Sequence, residues 1–143
     1  MRCIEAHPVG LWDHETGMSV VDDLPGNSGA AHLVPGGPVP TTTADAFCAG
    51  RALTRVDVMK IDAEGAELRV LRGAARVLDT LRPVLLVELN ADALARNGAS
   101  TADVLDLLEA HRYDVRPVKK RDRRLDLRNP GAAIVDVLCT PRR

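Results

Sequence analysis

Two apolar runs joined by one amphipathic stretch organise the centre of the chain. Val56 to Ile61 carries Val56, Val58, Met59 and Ile61, the pattern of a short buried strand, and ends in the acidic turn Asp62-Ala63-Glu64-Gly65. From Glu67 to Leu81 the apolar Leu68, Leu71, Ala75, Leu78 and Leu81 recur at spacings of three and four, with Arg69, Arg72, Arg76 and Asp79 between them. That period predicts one helix, which Pro83 stops. Val84 to Leu89 is almost continuously apolar and predicts an interior parallel strand covered on both faces, closed by Asn90. Ser100 and Asp103 form a capping-box pattern ahead of Val104, Leu105, Leu107 and Leu108, so a second amphipathic helix is expected to end near His111 and Arg112. Tyr113 to Val118 and Ala132 to Cys139 predict two last strands.

The flanks are less regular. Cys3 to Ala6 and Met18 to Val21 have strand character around the small polar residues 13–17, and the strand-like start directly after Met1 is expected of a domain whose first strands lie elsewhere. Residues 23–43, rich in Gly, Pro, Ser and Thr, predict a long loop, and residues 119–131, with Lys119-Lys120-Arg121, a basic and solvated one. Between them, 56–118 is the expected α/β core of a single folding unit spanning 1–143. Strand, helix, strand, helix, strand, strand predicts a mostly parallel α/β sheet with an antiparallel last strand. Right-handed crossovers then bring loop-borne chemistry to the C-terminal strand ends.

Composition narrows the function. A net charge of -1 gives no electrostatic footprint for nucleic acid or a membrane surface, and one Trp, one Tyr and one Phe leave no stock for stacking on bases. The first ten residues hold no apolar run long enough for a signal segment, and no membrane span is expected. Cys3, Cys48 and Cys139 are odd in number and far apart, which points to a reducing, cytoplasmic setting and to no structural zinc.

If the two central strands are neighbours, Asp62 and Glu64 leave the tip of one while Glu88 and Asn90 leave the tip of the next. Four oxygen-bearing side chains would then share the rim where open α/β sheets bind ligands. The plainer alternatives are that Glu64 and Glu67 favour a helix N-terminus and that Glu88 pairs with an arginine. Glu67, one turn further on, is expected to point away from the cleft. Lys60 reads as a solvent-reaching or salt-bridging side chain, and the Arg69, Arg72 and Arg76 stripe as a solvated face. Gly65 suits a sharp strand-to-helix turn and Gly73 a close approach of helix to sheet. His7, His14, His32 and His111 show no paired spacing, and only His7 is kept as a candidate for lining the cleft. Asp62, Glu88 and Asn90 offer oxygens to a hard cation, but without ligand spacing a resident divalent metal is not expected.

The ungapped blocks Val56 to Glu67, Val70 to Ala74 and Arg82 to Leu89 resemble the signature of FkbM-type S-adenosylmethionine-dependent methyltransferases. Thr42-Thr43-Ala44-Asp45 and the polar Gly26-Asn27-Ser28-Gly29 are similar to shorter segments of that family. The resemblance runs from about Glu5 to Leu138 but reaches only the second half of the family's domain. It implies a partial class I, Rossmann-like methyltransferase sheet, S-adenosylmethionine as cofactor, and O-methyl transfer to a hydroxyl of a sugar, glycolipid or natural product. It places Asp62 near the sulfonium end, orienting or deprotonating the acceptor hydroxyl, with Glu64 the second choice and Glu88, Asn90 and His7 on the acceptor side.

The glycine-rich turn and ribose-binding acid that class I enzymes use are not found. Gly36-Gly37 lies between prolines and Gly26-x-x-Gly29 precedes no helix, so the cofactor-binding residues stay unassigned. An N-terminally incomplete chain, impaired in methyl transfer, is the expectation, with a small-molecule or saccharide acceptor and an oligomer or completing subunit as partners. The alternative is a catalytically silent α/β module that binds a partner subunit.

Overall fold

The computed structural model describes residues 4–22, 31–119 and 124–142. In chain order the elements are β1 (Gly10–Leu11), β2 (Gly17–Asp22), β3 (Ala31–Pro35), β4 (Val39–Thr42), α1 (Ala44–Gly50), β5 (Val58–Ile61), α2 (Glu67–Arg72), a π-helical segment (Val77–Leu81), β6 (Val84–Asn90), α3 (Ala91–Arg96), α4 (Thr101–Ala110), β7 (Tyr113–Pro117) and β8 (Ile134–Pro141). The strands form two four-stranded sheets, ordered β1-β4-β2-β3 and β5-β6-β8-β7.

In the second sheet β5 pairs with β6 in parallel, from Val58 opposite Val84 to Ile61 opposite Val87. β8 runs antiparallel to both β6 and β7, so the expected mostly parallel sheet is mixed: one parallel pairing and two antiparallel ones. The short connection from β7 to β8 is what permits the reversal, because no crossover helix is needed. Leu85, Val87 and Leu89 of β6, with Val135, Val137 and Cys139 of β8, turn one face into the core beneath Leu68, Leu71, Val104 and Leu108 of α2 and α4. Each such side chain contributes about 1.5–3 kcal/mol by leaving water. On the other face Val84, Leu86 and Glu88 are half-buried and Ile134 is 53% exposed, so β6 is covered on one face by the described residues, where the apolar run predicted two. An apolar run does not reveal that every second member is only partly enclosed.

The first sheet was largely illegible. Residues 31–35 and 39–42, expected within a loop over 23–43, are strands: β3 pairs with β2 from Met18 opposite Pro35 to Asp22 opposite Ala31, and Gly17 and Met18 of β2 also pair with Pro40 and Val39. Gly36 and Gly37, both at positive φ, make the turn between them. Residues 4–6, by contrast, form no strand, while Cys3 and the Gly26–Gly29 segment lie outside the described residues.

The helix expected over Glu67–Leu81 is broken. α2 stops at Arg72 because Gly73 abuts the Trp12 carbonyl oxygen, and Asp45 restarts the helix by accepting hydrogen bonds from the Arg76 and Val77 N–H groups, each at 2.9 Å. Thr43 caps α1 in turn, accepting from the Ala46 N–H at 3.0 Å. The Ser100/Asp103 capping box of α4 is present as expected. Arg69, read as part of a solvated stripe, bonds Asp13 at 2.9 Å and lies over the Trp12 ring, 5.3 Å from its centroid. Trp12, Met18 and Ala66, with Leu33 and Ala63 against them, form the small core that joins the two sheets.

Because a Cβ at Gly73 would collide with the Trp12 backbone, Gly73→Ala should destabilise by about 1–3 kcal/mol through forced displacement at that junction. Gly50, which has open space around it, is the control. Urea unfolding of both variants checks this; equal midpoints would show that the junction yields freely.

Candidate active site

The register of β5 with β6 decides the site. With Ile61 opposite Val87, the next residues along stand side by side, Asp62 just past the end of β5 and Glu88 within β6. The turn after β5 then carries Glu64 at φ +49° and Gly65 at φ +99°. Gly65 is required there, since a Cβ would strike the Ala93 carbonyl of α3.

One carboxylate oxygen from each of Asp62, Glu64 and Glu88 lies within 4.8 Å of the others. Asp62 is tied to Lys60, whose Nζ donates to Oδ2 at 2.6 Å, and this bond holds the Lys60 ammonium above its ordinary pKa. Lys60 is thus the salt-bridging side chain the sequence suggests. Glu88 has its carboxyl pKa pushed up, first by burial and then by the negative charges of Asp62, Asp136, Glu64 and Glu67. Three carboxylates so close offer a hard cation an oxygen set, and Glu64 replaces Asn90 in it relative to the sequence expectation. Asn90 instead caps α3, its Oδ1 accepting from the Ala93 N–H at 3.2 Å. His7 sits against Phe47, with ring centroids 5.0 Å apart, and within hydrogen-bond reach of Arg51; neither residue lines the pocket described next.

A cavity of about 290 Å³ opens at the β5 tip. Lys60, Asp62 and Glu64 form its polar side, Leu11 and Leu33 of the first sheet and Val70 of α2 its apolar side, and His32 of β3 also borders it. His32 was set aside because the four histidines show no paired spacing, and the strand that brings it here lies within a stretch that reads as a loop. The signal was weak but present, in the apolar Leu33-Val34 pair after it. Glu67, expected to point away from the cleft, does not line the cavity; it is 2% exposed and lies against the acidic turn. Its Oε1 accepts from the Ala63 N–H at 2.9 Å and the Gly65 N–H at 3.2 Å.

The glycines bear on whether these residues fit a nucleoside cofactor. Among the described residues, Gly10, Gly17, Gly37, Gly65 and Gly73 are crowded by the chain's own atoms, and Gly36, Gly50, Gly98 and Gly131 face open space. None of these described glycines forms a strand-to-helix cradle for a ligand, and the residues that would hold S-adenosylmethionine are not assigned among them.

Since Glu88 binds its proton more tightly when folded, the stability this gives is present below the ordinary carboxylate value of 4.5 and is lost as pH rises through the folded value. Glu88→Gln should therefore exceed the parent in stability at about pH 7, with the advantage shrinking toward about pH 4. Urea unfolding at both pH values measures it, and a pH-independent difference would contradict the cause given.

Among the described residues, no helix is long and apolar enough to cross a membrane. Comparison with curated proteins finds no match, and comparison with solved structures finds none either. The methyltransferase FkbM domain, however, matches residues 3–115, a span that includes β5, the acidic turn and β6. The chain belongs to the FkbM methyltransferase family.

Proposed function

We propose that this chain supplies the acceptor-handling side of S-adenosylmethionine-dependent O-methyl transfer to a hydroxyl of a sugar, glycolipid or natural product. The observation that carries the proposal is the convergence of Asp62, Glu64 and Glu88, the first two of which line the cavity at the β5 tip. S-adenosylmethionine, when bound, supplies the methyl group. The chain's own part is to hold the acceptor oxygen in line and to take its proton late, which a carboxylate within hydrogen-bond reach can do. Asp62 is the first choice for that base and Glu64 the second. Glu88 stands beside them, its carboxyl pKa raised by burial and by the neighbouring acids.

Strand order β5-β6-β8-β7 with β8 reversed supports reading this sheet as the second half of a Rossmann-like class I fold. A cytoplasmic setting is supported by the free thiols of Cys48 and Cys139, both buried. The second reading, a silent module that joins a partner subunit, is favoured by β5 lying at the sheet edge with Val58 63% exposed.

In an enzyme with a complete cofactor site, Asp62→Asn should lower labelled-methyl transfer to a panel of hydroxyl acceptors by roughly 10²- to 10⁴-fold. Asp57→Asn, before β5 at the far end of the strand, should leave transfer near the parent's. Equal transfer by both variants would remove Asp62 from catalysis. The 143-residue chain alone should show no micromolar binding of S-adenosylmethionine by calorimetry, because no glycine cradle is present among its described residues. Micromolar binding would mean that the cofactor is held in another way.

A further inference from the structure

Glu64 adopts φ +49°, a left-handed conformation that a residue with a β-carbon avoids unless its surroundings hold it there. The two backbone N–H groups flanking it belong to Ala63 and Gly65, and both donate to a single atom, Oε1 of Glu67. Glu67 is the first residue of α2 and is 2% exposed, so this clamp works away from water, where hydrogen bonds to a charged acceptor are strongest. Its Oε2 is buried and has no hydrogen-bond partner among the described residues. A carboxylate with one oxygen shared by two donors and the other bare is a poor arrangement for stability alone. It makes sense as a device for shaping the turn.

We infer that Glu67 is the positioning residue of the site, its Oε1 clamping the Ala63 and Gly65 N–H groups so that Asp62 and Glu64 converge on Glu88. This rests on the proposed role of Asp62 and Glu64 in handling the acceptor. A residue that only favoured the N-terminus of α2 would act through its charge; the clamp acts through one acceptor oxygen. Gln keeps that oxygen and loses the charge, whereas Met keeps the chain length and loses both.

The test uses the 143-residue chain, with hydrogen exchange of the Ala63 and Gly65 amides and the carboxyl titration of Glu88 both followed by NMR. In Glu67→Gln both amides should stay within about threefold of parental protection, and Glu88 should still titrate above the ordinary range. In Glu67→Met, protection at these two amides should fall by at least about tenfold while Leu85 and Val87 of β6 keep theirs, and the Glu88 midpoint should lie below that of Glu67→Gln, which has lost the same charge, as Asp62 and Glu64 separate from it. Glu67→Asp, one methylene shorter, should lose protection at one or both amides and gives a second route if Glu67→Met fails to fold. Parental protection in Glu67→Met or Glu67→Asp would overturn the inference, and so would equal Glu88 midpoints in Glu67→Met and Glu67→Gln or loss of protection in Glu67→Gln. None of these readouts needs cofactor or acceptor. A clamp confirmed by exchange beside an inert Asp62→Asn would leave the positioning role standing and sink the methyl-transfer proposal.

Discussion

The parallel pairing of β5 with β6 is the constraint on which the site depends. Side chains alternate along a strand, so a slip of one residue in this register would send Lys60 and Val58 into the core and turn Ile61 out. Ile61 on β5 and Leu85, Val87 and Leu89 on β6 are all 3% exposed or less, and they fix the register by burial. Asp62 and Glu88 are brought side by side as a consequence of that packing.

Crowding like charges works against folding, and the neighbourhood shows how the opposition is managed. Lys60 neutralises Asp62 through a short bond at the surface, while the cost falls on Glu88, whose carboxyl is driven toward its protonated form by burial and by the acids around it. Beneath them Glu67 ties the turn, and Gly73 lets Trp12 approach closely enough for the first sheet to form the far wall of the cavity. Arg69, paired with Asp13 and stacked on Trp12, fastens the same junction from outside. The site thus belongs to both sheets, although its carboxylates come from one.

The second sheet was legible because its strands are apolar runs and its last helix opens on a capping box, signals that act within a few residues. The joining of Asp62 to Glu88 also followed from local pattern, given a single helix-bearing connection between two buried strands. The first sheet was not legible. Ala31–Pro35 and Val39–Thr42 are short and interrupted by Pro and Gly, so their pairing with β2 rests on contacts across the turn at Gly36 and Gly37 that no period announces. The part Glu67 plays was hidden for a related reason: at a helix N-terminus a carboxylate is ordinarily solvated, and only the folded turn reveals the two N–H donors it meets. The break at Gly73 likewise arises from the Trp12 backbone, 61 residues away in sequence.

That β5 and β6 pool their carboxylates into one site is tested most directly by the titration of Glu88 in Asp62→Asn. Among the charges acting on Glu88, Asp62 is the strongest, so neutralising it should move the Glu88 midpoint, read from its side-chain carboxyl carbon, down toward the ordinary carboxylate value. A Glu88 midpoint identical in parent and variant would mean that the two carboxylates do not share a rim.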